Sequence, residues 1–190
     1  MENFQSRLDH WSTGYSTYNQ GDSLAHPFLN YMQYFTGDIL EIGPGDGRQA
    51  KAIMPKASSY SVADIVKEIL ELPIFKDCKA NLLIRDWAQD YGIRFDTIHF
   101  WYLLHHIPRK ELQAFVNFLY THTKEKGKVI FNTPHLDYDK GNYCDNGVLT
   151  TPYKIGEVVY AFDYKFFCLH VDGTQNKNSN GHIYVGERRR

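Results

Sequence analysis

Three glycines alternate with other residues in a short segment that could hold a ligand. They are Gly43, Gly45 and Gly47, with Glu41 two residues before the first of them and Pro44 between the first two. Glycines at alternate positions let the backbone turn sharply and let a ligand approach where a Cβ atom would collide. If a helix follows, its first amides can donate to a carboxylate or a phosphate. A tight turn without a ligand is the alternative interpretation.

Short apolar segments alternate with amphipathic ones along the chain, and this order places the glycine segment in the fold. The apolar run 38–42 predicts a strand that breaks at the glycines and reopens as a helix over 48–54. The stretch 133–151 is polar and aromatic and is predicted to be a loop. Further strands are predicted at 60–63, 81–84, 95–102, 128–132, 165–171 and 182–187, and further helices at 66–72, 109–124 and 152–161.

Strands that alternate with helices predict an α/β fold with a mainly parallel sheet and helices on both faces. The last two strands depart from this order, because about ten polar residues between them leave no room for a helical crossover. The seventh strand should therefore run antiparallel to the sixth. In open α/β sheets, ligands bind at the carboxyl ends of the strands, beside the first strand–helix turn, so the fold favours a ligand site at the glycines.

Composition and charge exclude several classes of protein. The 190 residues suit one complete domain, and a 43% hydrophobic content can form a sizeable core. The formal charge of −1 gives no broad attraction to nucleic acid or to an anionic membrane. Residues 1–12 lack a signal-peptide pattern, and no run approaches the ~18 apolar residues of a membrane span. Three widely spaced cysteines indicate neither a disulfide framework nor a zinc site, so we expect a soluble cytoplasmic protein.

The spacing of the glycines separates the candidate ligands. Dinucleotide-binding proteins place the third glycine one residue later, and no Gly-Lys-Ser or Gly-Lys-Thr of a phosphate-binding loop occurs. The pattern Glu41-x-Gly43-x-Gly45-x-Gly47 instead resembles the first motif of the class I S-adenosylmethionine-dependent methyltransferases. The resemblance runs from about Gly37 to Arg188 and is to the small-molecule, methyltransferase type 11/12-like branch.

The resemblance implies a fold, a cofactor and a product. The fold is a Rossmann-like three-layer sandwich with a seven-stranded, mostly parallel sheet and an antiparallel last strand, which agrees with the argument from loop length. The cofactor is S-adenosyl-L-methionine and the product S-adenosyl-L-homocysteine. Residues 37–190 would form the cofactor-binding domain. The aromatic-rich residues 1–36 could form a helical lid segment, although the spacing of Phe28, Tyr31, Tyr34 and Phe35 also fits one packed helix face.

Further positions match the family's cofactor site. Asp64, followed by Ile65, matches the acid that accepts hydrogen bonds from both ribose hydroxyls, although it could simply cap the next helix. Asp86 matches the acid that takes the adenine amino group, and Trp87 either packs near the ring or belongs to the core. Trp101, near the end of the fourth strand, could line the methionine half of the cofactor.

Candidate catalytic and acceptor-binding residues follow the fourth and fifth strands, and two further acceptor candidates lie in the segment before the first strand. A histidine could take the proton of a hydroxyl acceptor, and structural histidines or a solvated loop are the alternatives. His135 and Asp137 supply too few ligands for a metal, so no metal is expected. The catalytic candidates are His105, His106 and His135, and the acceptor-contact candidates are Tyr15, Tyr18, Asp137, Tyr138 and Tyr143.

These observations favour an enzyme that methylates an oxygen or nitrogen of a small polar metabolite. Nucleic acid is disfavoured as the acceptor, because Phe100-Trp101-Tyr102 replaces the Asn/Asp-Pro-Pro-aromatic segment of the enzymes that methylate exocyclic amines. Neither nucleic acid nor a membrane is expected as a partner. A nicotinamide-dependent oxidoreductase and a cofactor-binding module without catalysis remain as alternatives.

Overall fold

A computed structural model describes residues 30–133, 143–145, 148–172 and 182–190 of the chain. Seven strands form one sheet in the order β3-β2-β1-β4-β5-β9-β8, and two short strands, β6 and β7, pair separately. The strands are β1 Asp38–Ile42, β2 Ser59–Asp64, β3 Ala80–Leu83, β4 Phe95–Phe100, β5 Thr123–Thr133, β6 Tyr143–Asp145, β7 Val148–Thr150, β8 Phe166–Asp172 and β9 His182–Arg188.

The direction of the strands confirms the predicted α/β fold. Strands β1 to β5 are parallel to one another, and β9 lies between β5 and β8 and is antiparallel to both. The antiparallel last strand expected from the short final connection is therefore present. Because β1 and β4 are neighbours that continue to opposite edges of the sheet, the chain order reverses between them. In open α/β sheets the ligand crevice lies at the carboxyl ends of two such strands.

The helices are shorter than predicted. Helix α1 is Arg48–Ile53, α2 is Lys67–Leu70, α3 is Leu112–His122 and α4 is Ile155–Asp163. Pro55 and Pro73 both lie in short 3₁₀ turns that follow α1 and α2, because a proline cannot continue an α-helix but fits a tight turn. The prediction of a loop over 133–151 is wrong in part, because β6 and β7 form an antiparallel hairpin there.

Two apolar cores lie on the two faces of the sheet. On one face, α3 and α4 pack Phe115, Val116 and Phe162 against the strands. On the other face, α1 and α2 pack together with Tyr31 and Phe35, which precede β1. Among the described residues, no helix is long and apolar enough to cross a membrane.

Candidate functional site

The turn between β1 and α1 has a left-handed backbone at all three glycines. The φ angles are +67° at Gly43, +55° at Gly45 and +79° at Gly47. The Gly43 amide donates to the carbonyl of Ala63 on β2 at 2.8 Å, and the Gly47 amide donates to the carbonyl of Pro44 at 2.9 Å. Residues with a Cβ atom rarely adopt these φ angles, so the alternating glycines allow the chain to turn here.

The space around these glycines differs. A Cβ atom at Gly47 would lie 2.8 Å from Ile74 Cγ2, and one at Gly43 would lie 3.3 Å from Leu103 Cδ1, so both glycines permit close packing. Apart from its two chain neighbours, no described residue has an atom within 4 Å of a Cβ placed on Gly45. Packing by the described residues therefore does not require a glycine at this position, unlike at Gly43 and Gly47.

Asp64 ends β2 beside this turn. Its Oδ1 accepts a hydrogen bond from the backbone amide of Val66 at 2.9 Å, and its carboxylate also accepts from the amide of Ile65. The N-cap of α2 is Val66, so the alternative that Asp64 caps this helix is wrong. Burial of the carboxyl raises its pKa to about 7. In the described part of the chain, no side chain pairs with Asp64, so it keeps acceptor capacity for donors of a ligand.

Glu41 and Asp46 place two further carboxyls near the turn. Glu41 is buried, and desolvation raises its pKa to about 8 even though the Tyr60 hydroxyl donates to Oε2 at 2.7 Å. Asp46 is bound by the Arg48 guanidinium through both carboxylate oxygens, which lowers its pKa. Glu41 is also close enough to Asp46 and Asp64 for their charges to raise its pKa, so the crevice favours a positively charged ligand.

Asp86 and Trp87, the two residues expected near the adenine, lie in different surroundings. Asp86 is exposed, and its Oδ1 accepts the amide of Ala88 at 2.8 Å. Trp87 packs edge-on against Phe115 and Phe118 of α3, and its indole nitrogen donates to the carboxylate of Glu111 at 3.2 Å. Trp87 thus belongs at least in part to the core, and its contact with an adenine ring stays a prediction.

The end of β4 holds functional candidates that the sequence pattern did not reveal. The strand ends at Phe100 and not at Tyr102, because Tyr102 has a left-handed φ of +51°. Asn132 of β5 holds this backbone by accepting the Tyr102 amide at 2.7 Å. The Tyr102 side chain is 40% exposed, and Trp101 beside it is buried. Strained non-glycine residues gather at functional sites, which adds Tyr102 to the acceptor-contact candidates.

The two histidines after β4 lie together in a short 3₁₀ turn, Leu104–His106. Their ring centroids are 3.8 Å apart. Burial lowers the pKa of His105 to about 4, so this ring is neutral at physiological pH. The carbonyl of His105 accepts the amide of Thr151 at 2.8 Å, which ties the turn to the segment after β7.

The remaining predicted contacts are not placed by the structure. Tyr143 lies on β6, and only its backbone position is described. Within the described ranges, no group of three or more His, Cys, Asp and Glu side chains is arranged to hold a metal ion. Tyr15, Tyr18, His135, Asp137 and Tyr138 lie outside the described residues.

A comparison with protein families shows to which family the chain belongs. A family model described as "Methyltransferase domain" matches residues 22–164, which is more than half of the chain. This chain belongs to the methyltransferase domain family. The resemblance to class I S-adenosylmethionine-dependent methyltransferases is thereby confirmed.

Solved methyltransferase structures share this fold at low sequence identity. The 1,6-didemethyltoxoflavin-N1-methyltransferase of Burkholderia thailandensis has a TM-score of 0.74 at 13% identity, over 98% of this chain and 88% of that one. Magnesium protoporphyrin IX methyltransferase (ChlM) of Synechocystis PCC 6803 has a TM-score of 0.72 at 14% identity, over 100% and 98%. DhpI has a TM-score of 0.70 at 17% identity, over 97% and 96%. Such identities establish the fold alone. No curated protein matches this methyltransferase.

The crevice of this methyltransferase fits the cofactor that the family implies. S-adenosylmethionine carries a ribose diol and positive charges on its sulfur and its amino group. Asp64 offers carboxylate oxygens that suit two hydroxyl donors, and the left-handed glycine turn lies beside them. The buried carboxyl of Glu41 suits a cation, whereas Asp46 is already paired with Arg48.

Proposed function

We propose that this methyltransferase moves the methyl group of S-adenosylmethionine to an oxygen or nitrogen of a small polar metabolite. The observation that carries the proposal is the left-handed glycine turn after β1, with the carboxyls of Glu41 and Asp64 beside it. The cofactor supplies a methyl group already activated by a positive sulfur. The protein then contributes alignment and exclusion of water, which can be worth up to about 7–11 kcal/mol.

The residues of the chain divide this work among them. Asp64 binds the ribose hydroxyls, and Gly45 permits the close approach of the cofactor. Trp101 and Tyr102 lie at the carboxyl end of β4, where the acceptor would meet the methyl group. The strained backbone of Tyr102 fixes the direction of its side chain at that edge.

A small acceptor is supported by the comparisons and by the charge. The structural neighbours include enzymes named for didemethyltoxoflavin, for magnesium protoporphyrin IX and for an amino pentose. The formal charge of −1 gives no general attraction to a nucleic acid. The alternative of a nicotinamide-dependent oxidoreductase is disfavoured by the family match and by the spacing of the third glycine.

The proposal is tested by a metabolite library scored for release of S-adenosylhomocysteine. We expect one chemical class of polar metabolite to give turnover with the parent protein and none with Gly45→Ala. Titration of NAD in parallel should show no binding. Binding of S-adenosylmethionine without turnover on any acceptor would instead favour the non-catalytic module, and binding of NAD alone would contradict the proposal.

The two histidines give a prediction about the transfer of the proton. If the acceptor is a hydroxyl, replacing the histidine that takes its proton should slow turnover by about 100-fold, with cofactor affinity within about twofold of the parent. Because the pKa of His105 is lowered to about 4, its basic form persists at all higher pH values, and its contribution to turnover should be constant between pH 6 and 9.

His105→Gln and His106→Gln, assayed separately from pH 6 to 9, check this expectation. Loss of turnover in one variant with no change in its affinity assigns the base. Full turnover in both variants would remove these histidines from the mechanism and favour a neutral amine acceptor, whose lone pair needs no base.

A further inference from the structure

Four polar side chains form a buried chain across the centre of the sheet. Glu41 on β1 pairs directly with His99 on β4, and Tyr60 on β2 lies beside both. Because side chains of a strand alternate in direction, Glu41, His99 and Trp101 project from the same face of the sheet. All four side chains are less than 8% exposed.

Hydrogen bonds join the four side chains in one line. The indole nitrogen of Trp101 lies 3.2 Å from Nδ1 of His99, and Nε2 of His99 lies 2.9 Å from the Tyr60 hydroxyl. That hydroxyl lies 2.7 Å from Oε2 of Glu41. The line therefore runs from the β4 end of the crevice, beside Tyr102, to the acid that begins the glycine turn.

The chemistry of the donors fixes the direction of every proton in this line. An indole nitrogen can only donate, so Nδ1 of His99 must accept from Trp101 and carry no proton. A neutral imidazole then carries its proton on Nε2, which donates to the oxygen of Tyr60. The Tyr60 proton cannot return to that nitrogen, so it donates to Glu41.

We propose that Trp101, His99 and Tyr60 are positioning residues that direct a hydrogen bond onto Glu41. This hydrogen bond favours the ionised carboxylate of Glu41, which can then bind the positive charge of the cofactor. The proposal rests on the proposed function, because it assigns this line of hydrogen bonds, called the relay below, to the S-adenosylmethionine site. Glu41 is the group that would meet the cofactor. The other three side chains act through it, from inside the sheet.

Because Glu41 is buried, the hydrogen bond from Tyr60 has a large influence on whether its carboxyl is ionised. Desolvation and the neighbouring acids raise the pKa of Glu41, while the donation from Tyr60 lowers it. Burial also keeps His99 neutral by lowering its pKa to about 3, which agrees with the tautomer deduced from Trp101. The titratable groups that face Glu41 are Tyr60 and Asp64 from β2, His99 from β4, Asp46 from the glycine turn and Cys78 from the segment before β3.

The first test reads the tautomer in the protein without ligand. Long-range ¹H–¹⁵N spectra, with the His99 signals assigned from their loss in His99→Gln, should show a neutral ring protonated on Nε2. In Trp101→Phe, Nδ1 is released, and the population protonated on Nδ1 should rise. A charged ring, or one protonated on Nδ1 in the parent, would overturn the relay whether or not the protein binds a cofactor.

The second test measures the dissociation constant of S-adenosylhomocysteine between pH 6 and 9.5. This ligand keeps the amino group, so its affinity should rise as Glu41 ionises. In Tyr60→Phe, and in Trp101→Phe, the pH midpoint should move upward by about one unit, because Glu41 loses its donor. Affinity should then fall about tenfold at pH 7 and recover to within about twofold at pH 9.5.

Tyr153→Phe is the matched control. Tyr153 is also buried, but it lies on the other face of the sheet, where its hydroxyl donates to the carbonyl of Ile107 at 2.8 Å. Its loss should leave the pH midpoint unchanged. Equal weakening of Tyr60→Phe at every pH would assign Tyr60 a merely structural role and overturn the proposal. A parent that binds no ligand at any pH, with the Nε2 tautomer intact, would instead contradict the proposed function.

Discussion

Replacing Asp64 with asparagine should weaken the binding of S-adenosylhomocysteine by about 100-fold, equivalent to about 3 kcal/mol. The carboxylate can accept from both ribose hydroxyls, and an amide offers only one acceptor and sets its NH₂ group against the second donor. Because Oδ1 of Asp64 already accepts the amide of Val66, the asparagine oxygen can keep that bond and the local backbone. Isothermal titration calorimetry at pH 8 measures the loss.

The same substitution should stabilise the protein without ligand. The pKa of Asp64 is raised to about 7 in the folded state, above its ordinary value of 3.8. An acid with a raised folded pKa destabilises the fold increasingly as pH rises from its unfolded pKa to its folded pKa, and fully above that. At pH 8 the free energy of unfolding of Asp64→Asn should therefore exceed that of the parent by about 1–2 kcal/mol, and at pH 4 the two should agree.

Asp38→Asn is a control of opposite sign. Asp38 is the first residue of β1 and lies at the amino end of that strand, away from the glycine turn. Lys124 and Ser59 bind its carboxylate there and lower its pKa. A lowered pKa stabilises the fold above the unfolded pKa and loses that effect as pH falls through the folded pKa. Asp38→Asn should thus lose about 1 kcal/mol or less at pH 8 and bind ligand normally. Normal binding by Asp64→Asn would remove Asp64 from the cofactor site.

The features that the sequence predicted well depend on local pattern. The first strand has the predicted bounds, because an apolar run bounded by glycines at both ends has only one plausible extent. The left-handed turn follows from Gly43, Gly45 and Gly47, whose spacing needs no tertiary information. The antiparallel final strand follows from the length of one connection.

The features that it missed depend on contacts between distant parts of the chain. Strand β5 begins at Thr123 and not at Lys128, in a polar stretch without alternation, where Lys124 binds Asp38 and Asp96 at 2.8 and 2.9 Å. The pairing of Glu41 with His99 joins residues 58 positions apart, and it depends on the register of β1 against β4. No periodicity in either segment encodes that register.

The strain at Tyr102 has the same origin. A tyrosine has no intrinsic preference for a left-handed backbone, so the sequence predicts that β4 continues through it. The carboxamide of Asn132, on the neighbouring strand, holds the Tyr102 amide and ends β4 early. At the carboxyl ends of the strands, the sequence alone therefore predicts the glycine motif of the cofactor site. The shape of the chain at the end of β4, where the acceptor is proposed to bind, depends on tertiary contacts.

Gly45→Ala should weaken the binding of S-adenosylhomocysteine by at least about 100-fold while the protein stays folded. Apart from the two chain neighbours, a Cβ atom at this position would meet no described residue within 4 Å, so the described part of the fold has room for the methyl group. The space that it would fill is the space proposed for the ligand. The left-handed φ of +55° should cost about 1 kcal/mol in the free energy of unfolding.

Gly92→Ala separates loss of the cradle from backbone strain. Gly92 also has a left-handed φ, of +69°, and a Cβ atom there would likewise have no described atom within 4 Å, but the residue lies in the loop before β4, outside the site. The two variants should therefore lose similar stability in chemical denaturation, and only Gly45→Ala should lose binding. If both bind as the parent does, the turn is not the cofactor cradle; if both lose binding equally, strain and not occlusion is the cause. Gly47→Ala, whose Cβ would meet Ile74 at 2.8 Å, should instead lower stability most of the three.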